Sequence, residues 1–136
     1  MALTIVTPDP PQQATRSRRA VIVDDDPGLL RLVAAWLEEI GYEVEAFHEF
    51  EPAKRRLAGD PVDVLVTDVR LGAFNGLQLV VRAKLAHPDL IAIVLTGFED
   101  PVLRRAALEA GALFLAKPLQ GAHLQDVVRT YSTDIS

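Results

Sequence analysis

Apolar positions along this chain switch between two periods. AVIVD (20–24), VDVLVTD (62–68) and LIAIVLT (90–96) are nearly continuous apolar runs, the pattern of strands buried on both faces. In PGLLRLVAAWLEEIG, residues Leu29, Leu32, Val33, Trp36, Leu37 and Ile40 recur at helical spacing, and Gly41 closes the helix at C′. YEVEAF alternates, which predicts a half-exposed strand near a sheet edge, and ALFLAK is a short further strand. FEPAKRRLAG, NGLQLVVRAKLAH, DPVLRRAALEAG and GAHLQDVVRTY predict four more helices. The second of these stops before Pro88, and DPVLRRAALEAG runs from an Asp-Pro start to Gly111.

Five strands alternating with five helices imply parallel strands joined by right-handed crossovers, with helices on both faces. Within about 115 residues this fits an α/β, flavodoxin-like doubly wound (βα)5 fold with sheet order 2-1-3-4-5. A Pro-, Gln- and Thr-rich stretch, residues 1–18, has no period and reads as a flexible arm, with Arg16, Arg18 and Arg19 in a solvated tail. The folded domain is expected over 19–131, with 132–136 as a short tail.

Composition narrows the chemistry. A formal net charge of −5 argues against direct nucleic-acid binding by the domain as a whole. The absence of cysteine removes disulfides, thiolate catalysis and thiolate metal sites. No apolar run reaches the ~18–20 residues of a membrane span, and the first segment lacks the pattern of a signal peptide. No membrane contact and a cytoplasmic location are therefore expected. His48, His87 and His123 are far apart and fit no ligand spacing.

In an open parallel sheet, ligands bind beyond the carboxyl ends of the strands. The first strand ends in Asp24 and Asp25, the third in Asp68, the fourth in Thr96 and the fifth in Lys117. One rim thus receives three carboxylates, a hydroxyl and an ammonium. Asp26, before Pro27, is explained as a helix N-cap. The other acids would raise one another's pKa and destabilise the fold unless cations screen them. Lys117 offsets one charge, and a hard divalent ion suits the remainder, since Mg²⁺ takes carboxylates, carbonyls, waters and phosphate oxygens.

With VIVDDD, VLVTDVRLGAFNG, VLTG and AKP in that order, the sequence resembles the receiver domains of bacterial two-component response regulators over roughly residues 19–131. Among these it resembles the single-domain, chemotaxis-type response regulators. The resemblance implies Asp68 as phosphoryl acceptor. It implies Mg²⁺ (or Mn²⁺) held by Asp25, Asp24, Asp68 and the backbone carbonyl of Arg70. Thr96 and Lys117 would contact phosphoryl oxygens, and Phe114 would be an aromatic switch that turns inward on loading. Lys117–Pro118 is a candidate cis bond, X-Pro being the common context for one. The implied donor is a phosphohistidine on a sensor histidine kinase or histidine phosphotransfer protein. The implied output is a downstream protein target, or a second copy of the chain, on the face made by the fourth helix, fifth strand and fifth helix. Such a domain catalyses its own loading and decay and is not a conventional turnover enzyme.

Two departures stand out. Gly72 occupies the position, four past the acceptor, where relatives carry proline, which predicts a more mobile loop. Arg70 is a large cation beside the site, able to reach the phosphoryl group or an Asp, or to point to solvent. Phe98, two past Thr96, is bulky enough to shield an acyl phosphate from water, so slow autodephosphorylation is expected. Rival readings fare worse. A phosphatase of the haloacid-dehalogenase type needs a D-x-D strand end, which VTDVR lacks, and DDDPG would repel a flavin phosphate. A phosphorylation-independent receiver, acting purely as an interaction module, usually lacks some of the five site residues. Both a stand-alone receiver and a piece of a larger regulator are compatible with the sequence, and the lack of tag-like ends favours the first.

Overall fold

A computed structural model describes residues 17–97 and 99–132. Five parallel strands form the sheet: β1 (Arg18–Val23), β2 (Tyr42–Phe47), β3 (Val64–Asp68), β4 (Ile91–Thr96) and β5 (Ala112–Ala116), in the order β2-β1-β3-β4-β5. The helices are α1 (Pro27–Glu39), α2 (Phe50–Leu57), α3 (Leu77–Ala86), α4 (Pro101–Glu109) and α5 (Gly121–Tyr131). This is the doubly wound order predicted from the alternation.

The continuous apolar runs serve two cores at once. Successive side chains of a strand point to opposite faces. In β1, Ala20 and Ile22 therefore join Val33, Leu37, Leu124 and Val128 of α1 and α5, while Val21 and Val23 join the side covered by α2, α3 and α4. β2, at the edge, buries Tyr42 but leaves Glu43 and Glu45 exposed, as its alternation predicts.

Both Asp-Pro signals mark real helix starts. Asp26 Oδ1 accepts from the amides of Gly28 (2.9 Å) and Leu29 (3.3 Å). Asp100 Oδ1 does the same for Val102 (3.0 Å) and Leu103 (3.3 Å). Gly41 and Gly111 end α1 and α4 at φ of 99° and 88°, the left-handed region that favours glycine.

The structure departs from the sequence reading at three places. β1 begins at Arg18, not Ala20, because Arg18 and Arg19 find ladder partners in Tyr42 and Glu43 of β2. These two arginines belong to the sheet, with the Arg18 guanidinium 5.9 Å from the Tyr42 ring centroid, and not to a solvated tail. Residues 1–16 of the predicted arm, Arg16 included, lie outside the described residues, as do 133–136 of the tail. Secondly, α3 starts at Leu77 with Gly76 at the N-cap, and Asn75, one residue earlier, accepts from the Leu77 amide through Oδ1 at 2.8 Å. Thirdly, the stretch after β3 is no open loop. Arg70–Leu71 and Phe74–Asn75 pair as a small antiparallel hairpin, with Arg70 opposite Asn75 and Leu71 opposite Phe74. Gly72 opens its two-residue turn at φ of 62°, a value closed to proline, so glycine replaces rigidity of one kind with another.

Candidate functional site

The predicted rim assembles at the carboxyl ends of β1, β3, β4 and β5. Asp24 and Asp25 follow β1, Asp68 and Thr96 are the last residues of β3 and β4, and Lys117 follows β5. Adjacent strands fix their spacing through the ladder, and the Lys117 amide donates to the Thr96 carbonyl at 2.7 Å. The Lys117–Pro118 bond is cis, as expected.

The three consecutive acids have separate placements. Asp26 caps α1. Asp24 is buried, with its side chain only 3% exposed, and its Oδ1 accepts from the Asp26 amide at 2.9 Å. Asp25 is exposed at the mouth. Among the described residues, oxygens of Asp24, Asp25 and Asp68 lie within 4.8 Å of one another. Lys117 Nζ stands 3.1 Å from Asp24 Oδ2 and 3.5 Å from Asp68 Oδ2. The contact with Asp24 is an ion pair without hydrogen-bond geometry, so Oδ2 is a buried acceptor with charge compensation but no hydrogen bond. One ammonium facing three carboxylates, with one buried oxygen still lacking a hydrogen bond, fits a hard divalent ion that binds through oxygen.

Burial pushes the Asp68 carboxyl above its ordinary value, and Asp24 adds to this, while Lys117 and the Arg70 amide pull the other way. Burial alone would lower the Lys117 ammonium, but Asp24 and Asp68 outweigh it and hold it above the ordinary lysine value. The Asp68 shift makes a prediction. Folded protein binds this proton more tightly than unfolded protein, so stability falls as pH rises from the unfolded value of 3.8 through the raised folded value. At neutral pH ionised Asp68 thus costs stability. Asp68→Asn should raise the stability of metal-free protein at pH 7, with a smaller gain nearer the unfolded value. Urea denaturation in EDTA at the two pH values checks it, and an equal or destabilising effect at both would contradict it.

Several predicted residues gain surroundings that the sequence did not reveal. Thr96 is buried at 2% exposure. Phe114 is already inward, 8% exposed within the core on the α4 side. Phe114 here takes the inward orientation that the resemblance implies for the loaded state. Arg104 of α4 lies over the Phe114 ring at 4.8 Å and pairs with Glu99 at 2.9 Å, linking the loop after β4 to the aromatic. The Arg70 side chain is exposed, while its backbone forms the hairpin. Phe98, the expected shield, lies outside the described residues. His48 and His123 are exposed, and His87 bonds the Leu57 carbonyl at 2.8 Å, so no histidine joins the acidic group.

Sequence reasoning missed Gly76. Its amide donates to the Val69 carbonyl at 2.6 Å, and a Cβ there would collide with the Asp68 carbonyl oxygen and stand 2.8 Å from Thr67 Oγ1. The available signal was Asn75-Gly76, a turn dipeptide that the helical pattern had absorbed.

The "Response regulator receiver domain" family profile matches residues 20–129. Among curated proteins the chain is 32% identical over 114 residues to the response regulator protein PilR of Pseudomonas aeruginosa, covering 83% of this chain and 26% of that one. It is 32% identical over 112 residues to the response regulator receiver protein CpdR of Brucella abortus, covering 82% and 91%. The chain thus spans about a quarter of PilR but nearly all of CpdR. A crystal structure of a CheY-like response regulator receiver domain protein from Methanospirillum hungatei superposes with a TM-score of 0.79 at 26% identity, over 85% of this chain and 93% of that one.

Proposed function

The chain belongs to the response regulator receiver domain family, a phospho-acceptor module of two-component signalling, and we propose that Asp68 is the residue that takes the phosphoryl group. The observation that carries this reading is the position of Asp68. It is the one carboxylate at the end of a central strand that shares Lys117 with the buried Asp24.

A carboxylate oxygen of Asp68 attacks the phosphorus of a phosphohistidine in line. A P–O bond forms as the P–N bond breaks, and the imidazole leaves with the electron pair and takes up a proton. Lys117 and the Thr96 hydroxyl face the oxygens on which charge resides during transfer, the groups such a transition state needs. Asp24, Asp25, Asp68 and the Arg70 carbonyl would hold Mg²⁺ or Mn²⁺. When bound, the ion supplies charge neutralisation and orientation of the phosphoryl oxygens. Hydrolysis of the acyl phosphate by water returns Asp68.

The proposed donor is a sensor histidine kinase or histidine phosphotransfer protein. The proposed output surface is α4-β5-α5, where Val102, Leu108 and Tyr131 stay at least half exposed and can meet a target protein or a second copy. Nearly two added negative charges at the rim bias that face through Thr96 and the Glu99–Arg104–Phe114 contacts. No described helix is long and apolar enough to cross a membrane, which accords with a cytoplasmic role.

Intact mass spectrometry after incubation with acetyl phosphate tests the reading. A gain of about 80 Da, one phosphoryl group, is expected with Mg²⁺ and lost in EDTA. No gain from acetyl phosphate or from phosphorylated kinases would instead favour the phosphorylation-independent interaction module.

A further inference from the structure

We propose that Phe74 is a positioning residue for the divalent-ion site: its ring, stacked on Phe50, holds the hairpin that presents the Arg70 backbone. The inference rests on the metal site proposed above, to which Arg70 contributes its carbonyl.

The hairpin is unevenly anchored. Its outgoing strand is tied down by Leu71, which is 3% exposed and packed in the core, and by the Arg70 amide bonded to Asp68. Its return strand, Phe74–Asn75, has both residues exposed. Its base is fixed, since Asn75 pairs with Arg70 and accepts from the Leu77 amide and Gly76 donates to the Val69 carbonyl, which leaves the tip at Phe74 as the part held by its side chain. A cleft of about 460 Å³ undercuts the hairpin between Asp25, His48 and Phe50 on one side and Leu71 to Phe74 on the other. Across that cleft the Phe74 ring meets Phe50 with centroids 4.4 Å apart and planes 10° from parallel. Phe50 is itself 6% exposed in the core, so the stack fastens the return strand to a rigid part of α2.

Arg70 pairs directly with Asn75, the neighbour of Phe74. A hairpin tip that tilts at Phe74 therefore loads the Arg70–Asn75 pair at its base. With Gly72 at the turn, no proline ring stiffens this segment, and the aromatic stack takes that part.

The test is an Mg²⁺ titration followed through the backbone amide NMR shifts of Asp25, Asp68 and Arg70, in wild type, Phe74→Ala and Phe74→Tyr. Phe74→Ala should weaken Mg²⁺ binding roughly three- to tenfold, the scale of a lost aromatic pair, while the amide spectrum of the sheet stays folded. Phe74→Tyr keeps the ring and should restore affinity to within about twofold. Wild-type affinity in Phe74→Ala, or failure of Phe74→Tyr to restore it, overturns the positioning role and leaves the metal site standing. No Mg²⁺-dependent shift at these amides in wild type overturns the metal site itself and this inference with it.

Discussion

Gly76→Ala is expected to cost about 1–3 kcal/mol of stability and, in addition, about a hundredfold in the rate of phosphoryl uptake. The backbone of Gly76, at φ −60° and ψ −20°, suits any residue, so the requirement is space and not conformation. The added methyl would sit against the carbonyl oxygen of Asp68 and near Thr67 Oγ1, which itself donates to that carbonyl at 2.9 Å. Neither neighbour is the far end of a flexible chain. Relief must come from moving the Asp68 backbone, and misplacing a reacting group by an ångström is what costs orders of magnitude in rate. Urea denaturation and the rate of the acetyl phosphate reaction measure the two effects. A variant that lost stability but reacted at the wild-type rate would show that the segment yields on the α3 side instead.

Lys117→Ala is expected to slow phosphoryl uptake by about two to three orders of magnitude, the loss associated with one group that stabilises transition-state charge. It should also cost roughly 2–3 kcal/mol in metal-free protein, because a buried Asp24 carboxylate is left without its counter-charge. The raised pKa of Lys117 fixes the pH range. Stability gained from a lysine whose folded value exceeds 10.5 is fully present below 10.5 and lost only as pH rises through the folded value. The difference between wild type and variant should therefore hold through neutral pH and shrink only in strongly alkaline solution. Added Mg²⁺ should recover more stability in the variant than in wild type, since the ion then faces the acidic group without a competing ammonium. Thermal melts across pH, with and without Mg²⁺, read all of this. A variant as stable as wild type in EDTA would mean Asp24 and Asp68 are not held together at the cost of their repulsion.

Strand ends were legible because burial on both faces makes each central strand an unbroken apolar run, and the first polar residue after it marks the rim. That rule places Asp24, Asp25, Asp68, Thr96 and Lys117 together from the sequence alone. Asp26 and Asp100 were readable as caps because proline follows each. The hairpin was not readable. Strands of two residues are too short to show a period, and LGAFN carries no strong turn dipeptide at its tip. The inward Phe114 was also hidden, since a strand residue's partner across the sheet depends on α4, whose Arg104 supplies the contact. The start of β1 was misplaced because charged residues at an edge ladder look like a tail. Arg19 is held there by Asp63, whose Oδ2 accepts from its amide at 2.8 Å, a contact 44 positions away in sequence.

The most direct test of the account is to locate the phosphoryl group. Protein loaded with acetyl phosphate and Mg²⁺ would be reduced with borohydride, which converts an acyl phosphate of aspartate to homoserine, then digested and sequenced by mass spectrometry beside Asp68→Asn. Homoserine is expected at position 68 in wild type, with no conversion anywhere in the variant. Conversion at Asp24 or Asp25, or conversion that persists in Asp68→Asn, would contradict it.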